Sequence, residues 1–342
     1  MAPLRGNAGP LGGRSGDAPG PLRVAVGRRQ GDGYCRRMSW VPELSPRVRA
    51  ALEAGRPVVA LESTIISHGL PRPGNLAAAR SFEELLAAAG VTAATIAVVD
   101  GVPKVGLDDS DLERIALDEQ VVKVSRRDLA IAMATKRTAG TTVAATSVLA
   151  ARAGIRVFAT GGLGGVHRRY AETLDESADL TVLSRTPITV VSAGVKSILD
   201  IPATLERLET LGVAVVGYRT NRFPAFYLLD SGQELDWRVD TPQEIAEIMA
   251  AREMLGDPAA LLIGNPLPPE KQLDPALHDR VLTEALGAAE AADVRGKAVT
   301  PFLLGYMGRA TANASVEVNL DVARGNVALA AEIATAWASS AK

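Results

Sequence analysis

A single cysteine, Cys35, is the only thiol in the chain, which excludes an internal disulfide framework and any cysteine-based metal cluster. That usage is compatible with a reducing cytoplasm, the compartment expected for the protein. Uninterrupted apolar runs of about 18 residues are also missing, so no membrane-spanning helix is expected. Charge of one sign is not in excess. The formal net charge of −2 gives no reason to expect a nucleic-acid polymer or an acidic membrane as partner. The G-x-S-x-G elbow, the Walker lysine loop and the H-E-x-x-H helix are all absent, and the glycine cluster at 161–165 lacks the third glycine of a dinucleotide fingerprint. What remains is a globular composition, 47% hydrophobic and 22% charged, suited to small-molecule chemistry.

Residues 1–37 stand apart, because 20 of them are Gly, Pro or Arg and only Asp17 and Asp32 are acidic. Such a stretch cannot bury enough apolar surface to offset its ordering entropy, and it lacks the apolar centre of a secretory signal. It is expected to be a disordered leader or a start-site artefact, with a single domain from 38 to 342. Within that domain, short β-branched runs alternate with longer alanine- and leucine-rich stretches. This predicts a three-layer α/β/α fold on a mixed, largely parallel central sheet. Strands are expected at 57–61, 95–99, 102–106, 121–124, 156–159, 188–191, 214–217 and 261–263. Asp100-Gly101 marks a two-residue hairpin turn. Helices are expected at 76–89 with Asn75 as N-cap, and at 108–118, 127–136, 142–153 and 203–211. The Thr241-Pro-Gln-Glu244 capping box opens another from 242 to about 254. Three more helical stretches, 275–292, 300–312 and 319–337, end the chain, and the excursion from 218 to 240 suggests a flap or an oligomer contact.

Polar residues gather where these strands end. Lys196 follows an apolar strand amid small residues, a place for a Schiff-base nucleophile or for a solvated surface amine. Glu62 ends the first strand among apolar neighbours, where a carboxyl serves as a general acid or simply bonds to backbone. The glycines 161, 162, 164 and 165 form either an anion cradle or a tight turn. Thr160 and His167 beside them are able to donate hydrogen bonds to an anion. Lys123, Arg126 and Arg127 suit a phosphate ester, or a solvated face. Asp175, Ser177 and Asp179 offer hard oxygen ligands for Mg²⁺ or Mn²⁺, or helix caps.

Several segments resemble, in order, the pseudouridine-5′-phosphate glycosidase or indigoidine synthase A-like family. They are Ala60-Leu-Glu-Ser-Thr-Ile-Ile-Ser-His-Gly69, Lys123-Val-Ser-Arg-Arg-Asp-Leu129, Gly140-Thr-Thr-Val143, Phe158-Ala-Thr-Gly-Gly-Leu-Gly-Gly-Val-His-Arg168, Asp175-Glu-Ser-Ala-Asp-Leu180 and Ser192-Ala-Gly-Val-Lys-Ser-Ile-Leu-Asp200. The resemblance implies reversible cleavage of the C–C glycosidic bond of pseudouridine 5′-phosphate to uracil and ribose 5-phosphate, a carbon–oxygen lyase class activity. It implies Lys196 as the imine-forming nucleophile, Glu62 as proton donor and Asp175 as ligand of a largely water-coordinated Mn²⁺. Lys123, Val143, Ser177, Ala178 and Asp179 match substrate-binding positions. Thr160 and His167 are expected at the phosphate and Asn319 at the uracil or ribose. A homotrimer is expected from the same resemblance. Two other readings compete, a ribokinase-like sugar kinase and a non-catalytic nucleotide-sensing module. The missing nucleotide motif counts against the first, and the presence of Glu62, Asp175 and Lys196 against the second.

Overall fold

Val58, Val59, Ala60 and Leu61 are all buried, yet they face two different cores. Val58 and Ala60 join one apolar cluster, Val59 and Leu61 another. Residues of a strand alternate across its sheet, so a strand apolar on every position must be covered on both faces. In the computed structural model, which describes residues 40–340, this strand lies inside an 11-stranded sheet. The leader expected over 1–37, with Cys35 and Met38, lies outside the described residues.

The strands are β1 (Glu43–Leu44), β2 (Val58–Leu61), β3 (Thr92–Val99), β4 (Val102–Val105), β5 (Val122–Val124), β6 (Ala139–Thr141), β7 (Val157–Ala159), β8 (Thr189–Ser192), β9 (Ala214–Tyr218), β10 (Arg238–Val239) and β11 (Leu261–Gly264). Their order is β1-β4-β3-β2-β7-β8-β11-β9-β10, with β5 reaching β3 through β6. All pairings are parallel except β3 with β4 and β3 with β6, so the sheet is mixed and mostly parallel, as expected. The Asp100-Gly101 hairpin is present, with φ of 49° and 83° at its two central residues.

The helices are α1 (Pro46–Glu53), α2 (Gly74–Ala88), α3 (Asp109–Leu117), α4 (Leu129–Ala134), α5 (Val143–Arg152), α6 (Tyr170–Thr173), α7 (Ala178–Leu183), α8 (Ile201–Thr210), α9 (Pro242–Leu255), α10 (Pro275–Ala291), α11 (Val299–Ala310) and α12 (Ala314–Ser340). Apolar residues of α2, α9 and α12 cover the sheet face carrying Val59, Val157, Val191 and Ile263. Those of α1, α5, α7, α8 and α10 cover the face carrying Ala60, Phe158, Val190 and Leu262. The result is three layers. Among the described residues no helix is long and apolar enough to cross a membrane.

Three expectations need correction. Asn75 is no N-cap: it sits inside α2, fully buried, and its amide donates to Ile66 O and Ala116 O, both at 2.6 Å. The segment 218–240 is not a flap, because Phe223, Phe226 and Tyr227 are at most 2% exposed and the Phe226 N–H donates to Ala193 O at 2.9 Å. Asn319 does not open the last helix, which begins five residues earlier and carries it on a buried face.

Candidate active site

Parallel strands end together at one edge of the sheet, and their carboxyl ends frame a cavity of about 390 Å³. Glu62 follows β2, Gly161 and Gly162 follow β7, Lys196 lies past β8, Lys123 is on β5, and Val143 opens α5; all six positions line the cavity. So do His167, Asp175, Ser177, Ala178, Asp179 and Asn319. The chain thus brings together residues separated by more than 250 positions. Of the residues expected from sequence at the site, Thr160, Gly165 and Arg126 are not on the wall.

Glu62 accepts a hydrogen bond from Thr160 Oγ1 at 2.5 Å. Burial pushes its carboxyl above the ordinary value of 4.5, the nearby Lys196 charge and the Thr160 hydroxyl draw it back, Asp179 raises it and Lys123 lowers it, and the net direction is upward. A carboxyl held protonated closer to neutrality is suited to give a proton away. Thr160 is 4% exposed and its hydroxyl is spent on Glu62, so the expectation of a direct phosphate contact is not what the geometry displays.

Lys196 emerges from a turn clamped on several sides. Its own N–H donates to Leu163 O at 3.1 Å, the Leu199 N–H donates back to Lys196 O at 2.9 Å, and Ser197 Oγ is 2.8 Å from His278 Nε2 on α10. Gly194, two residues earlier, has φ of +75°, and a Cβ there would stand 2.1 Å from Pro224 O, so only glycine permits this approach. The Lys196 Nζ donates to Gly162 O. That contact gives the glycine loop a role other than the anion cradle. Its Leu163 and Gly164 amides are already bonded to Gly194 O and Asp179 Oδ2, while a Cβ on Gly162 would lie 2.5 Å from the Phe226 ring. The loop is built for close packing and for presenting one carbonyl to the lysine.

Asp179 is 6% exposed and accepts from the Ala144 and Gly164 amides, each at 2.9 Å. It ties the start of α5 to the glycine loop. Ser177 caps α7, its hydroxyl accepting from Asp179 N at 3.2 Å. Asp175 is different, because its side chain is one-third exposed and its Oδ2 lies 3.9 Å from His167 Nδ1. Burial holds His167 below its ordinary value, with Asp175 pulling it back up and Lys123 adding to the drop. Among the described residues no group of three or more His, Cys, Asp or Glu is placed to hold a metal ion. A single accessible carboxylate beside an open cavity fits only a hard cation that keeps most of its waters, which is the behaviour of Mg²⁺ and Mn²⁺ and not of zinc.

Two kinds of lining complete the cavity. Lys123, Ser125, Arg127 and His68 give it a basic, hydroxyl-bearing side, and Arg126 is not part of it. His68 was not foreseen; it lies on a π-helical turn, Ile65–Gly69, directly after Glu62, with its Nδ1 2.8 Å from Ser67 Oγ. Burial, with Lys123 and Arg72 nearby, lowers its pKa. Ile65, Phe226, Pro301 and Leu304 add apolar lining that sequence chemistry had no means of assigning to a site. Asn319 Oδ1 is buried and lacks a hydrogen-bond partner among the described residues. An acceptor so placed costs about 1–3 kcal/mol until something donates to it.

The model of the family described as indigoidine synthase A-like protein matches residues 47–336. The chain belongs to this family. Its similarity to other members is high. It is 62% identical over 296 residues to a pseudouridine-5′-phosphate glycosidase of Frankia alni, covering 86% of this chain and 82% of the relative. It is 60% identical over 298 residues to another of Saccharopolyspora erythraea, covering 87% and 98%. Among solved structures, the prealnumycin C-glycosynthase AlnA in complex with ribulose 5-phosphate superposes with a TM-score of 0.81 at 36% identity, covering 88% of this chain and 98% of that one. An indigoidine synthase A-like protein of Thermotoga maritima gives 0.79 at 34%, with the same coverage. Family membership therefore attaches to nearly the whole described fold.

Proposed function

We propose that the chain cleaves the C–C glycosidic bond of pseudouridine 5′-phosphate, reversibly, to uracil and ribose 5-phosphate. The observation that carries this is the meeting of Lys196 and Glu62 at one cavity lined by both basic and apolar residues. An ordinary glycosidase protonates a leaving oxygen; here the leaving atom is uracil C5, which has no lone pair, so a covalent route is needed. Lys196 Nζ attacks C1′, the C1′–O4′ bond breaks and O4′ takes a proton. The nitrogen lone pair then expels C5 as the C1′=N imine forms, and C5 takes a proton. Water hydrolyses the imine, returning the lysine and releasing ribose 5-phosphate. Glu62, with its raised pKa, is the proton source at the reacting atoms.

Lys123 and the backbone at Val143 grip the phosphate, with His167 as a hydrogen-bond donor beside them. Ser177, Ala178 and Asp179 shape the wall near it, and Asn319 receives an N–H of the uracil. Asp175 would hold Mn²⁺, which supplies positive charge to the phosphate side of the substrate. The protein works as a cytoplasmic homotrimer. Prealnumycin C-glycosynthase binds a pentulose 5-phosphate, and an open-chain pentose phosphate is the species this lysine would carry.

The test is chemical trapping. Incubation with ribose 5-phosphate and borohydride is expected to leave a reduced adduct on the peptide containing Lys196, and none in Lys196→Ala. Release of uracil by Lys196→Ala at the rate of the unaltered protein would overturn the covalent route.

A further inference from the structure

We infer that Thr160 is the positioning residue of Glu62, held for that purpose by Asn326 of the terminal helix. The inference rests on the reading of Glu62 as the proton donor. Thr160 is locked at both ends of its backbone. Its N–H donates to Val191 O at 3.0 Å, and its carbonyl accepts from Asn326 Nδ2 at 2.7 Å. The same Asn326 amide reaches Gly161 O at 3.2 Å, and its Oδ1 accepts from Asn265 Nδ2 at 2.9 Å. Asn326 is 1% exposed, so this amide, satisfied at both ends and lodged in the core, is costly to lose. It lies seven residues after Asn319, two turns along the same face of α12, and one helix therefore supplies both a cavity residue and the anchor of a strand end.

With its backbone fixed, Thr160 has one side-chain rotation left, and its hydroxyl is aimed at Glu62 Oε1. The charged groups facing Glu62 are Lys196 from the turn after β8, Lys123 from β5 and Asp179 from α7. None of these is hydrogen-bonded to it in the structure as Thr160 is. A hydroxyl donating to a carboxylate favours the ionised form, so Thr160 restrains the rise that burial imposes and fixes which oxygen faces the reaction. The assignment differs from a phosphate contact in what it predicts for kinetics.

With pseudouridine 5′-phosphate as substrate, Thr160→Val is expected to lower kcat about tenfold, leave KM within about twofold, and move the alkaline limb of the kcat profile up by about one pH unit. The sign follows from the chemistry: a proton donor works while protonated, and losing the hydroxyl raises its pKa. Thr160→Ser keeps the hydroxyl and is expected to keep the limb in place. Thr160→Ala carries the same expectation as the valine protein and serves where that one does not fold. Asn326→Leu should lower kcat in the same way and add little on top of Thr160→Val. An unmoved alkaline limb in Thr160→Val, or a raised KM with kcat intact, overturns the inference and returns Thr160 to substrate binding. Glu62→Gln measured alongside separates the two levels. Full activity in that protein removes Glu62 as donor, whereas an inactive Glu62→Gln with an unmoved Thr160→Val removes only the present inference.

Discussion

Asn319 offers the sharpest test at the scale of a single side chain. Asn319 lines the cavity, and its Oδ1 is buried with no partner among the described residues, so the folded protein bears a cost that a donor reaching it from a ligand would relieve. Replacing it by an apolar residue of similar size separates binding from stability. Asn319→Leu is expected to reduce kcat/KM for pseudouridine 5′-phosphate about 10- to 100-fold, with a melting temperature equal to or above that of the unaltered protein. A fall in melting temperature with kcat/KM unchanged would contradict the role. The gathering of most of these residues at one cavity was legible in the sequence. Glu62 and Lys196 each follow an apolar run, and a polar group just past a buried strand has few places to go but the end of the sheet. Thr160 was legible as a neighbour of the glycine loop, but the direction of its hydroxyl depends on Val191 and Asn326, from distant parts of the chain. The lowering of the His167 pKa was hidden for the same reason, since burial is its first cause.

At the scale of elements, legibility followed length and punctuation. The Thr241 capping box starts α9 where expected, with its hydroxyl accepting from Glu244 N at 3.2 Å. Strands β1 and β6, of two and three residues, are too short for any alternation to register and were missed. Helix α1 was missed although Ser45 and Pro46 mark its start, because it lies close to a stretch whose composition argues against order. The glycine loop was seen as an element, but its purpose was left between two readings. The structure shows close packing against Phe226, and the consequence is measurable. In Gly162→Ala the new methyl would stand 2.5 Å from the Phe226 ring, and either the ring or the loop must move. Overpacking of this kind costs about 1–3 kcal/mol. Displacing the loop also removes the carbonyl that holds the Lys196 amine. Gly162→Ala is therefore expected to lower both the melting temperature and the rate of imine trapping with ribose 5-phosphate, and the added change Phe226→Leu to recover part of each. Loss of both with no recovery in the double variant would mean that the strain lies elsewhere.

The whole molecule bears a cost for burying Glu62, and the cost depends on pH. Because the folded state raises the Glu62 pKa above 4.5, the folded chain binds the proton more tightly than the unfolded chain does. Stability then falls as pH rises from the unfolded value through the folded one, and above that window the penalty of an ionised, buried carboxylate is fully present. Below about pH 4 both states are protonated and the penalty vanishes. Glutamine reproduces the shape of the protonated acid and never ionises. Glu62→Gln should therefore melt about 1–4 °C higher than the unaltered protein at neutral pH, and at the same temperature near pH 4, while losing activity about 100-fold or more. The favourable pull of Lys196 and Lys123 on the ionised form opposes this gain, and the raised pKa says that burial outweighs them. Melting curves of the two proteins at a series of pH values decide the balance. If Glu62→Gln melts lower at neutral pH and the gap closes on acidification, the two lysines win, and the ionised carboxylate holds the site together instead of straining it.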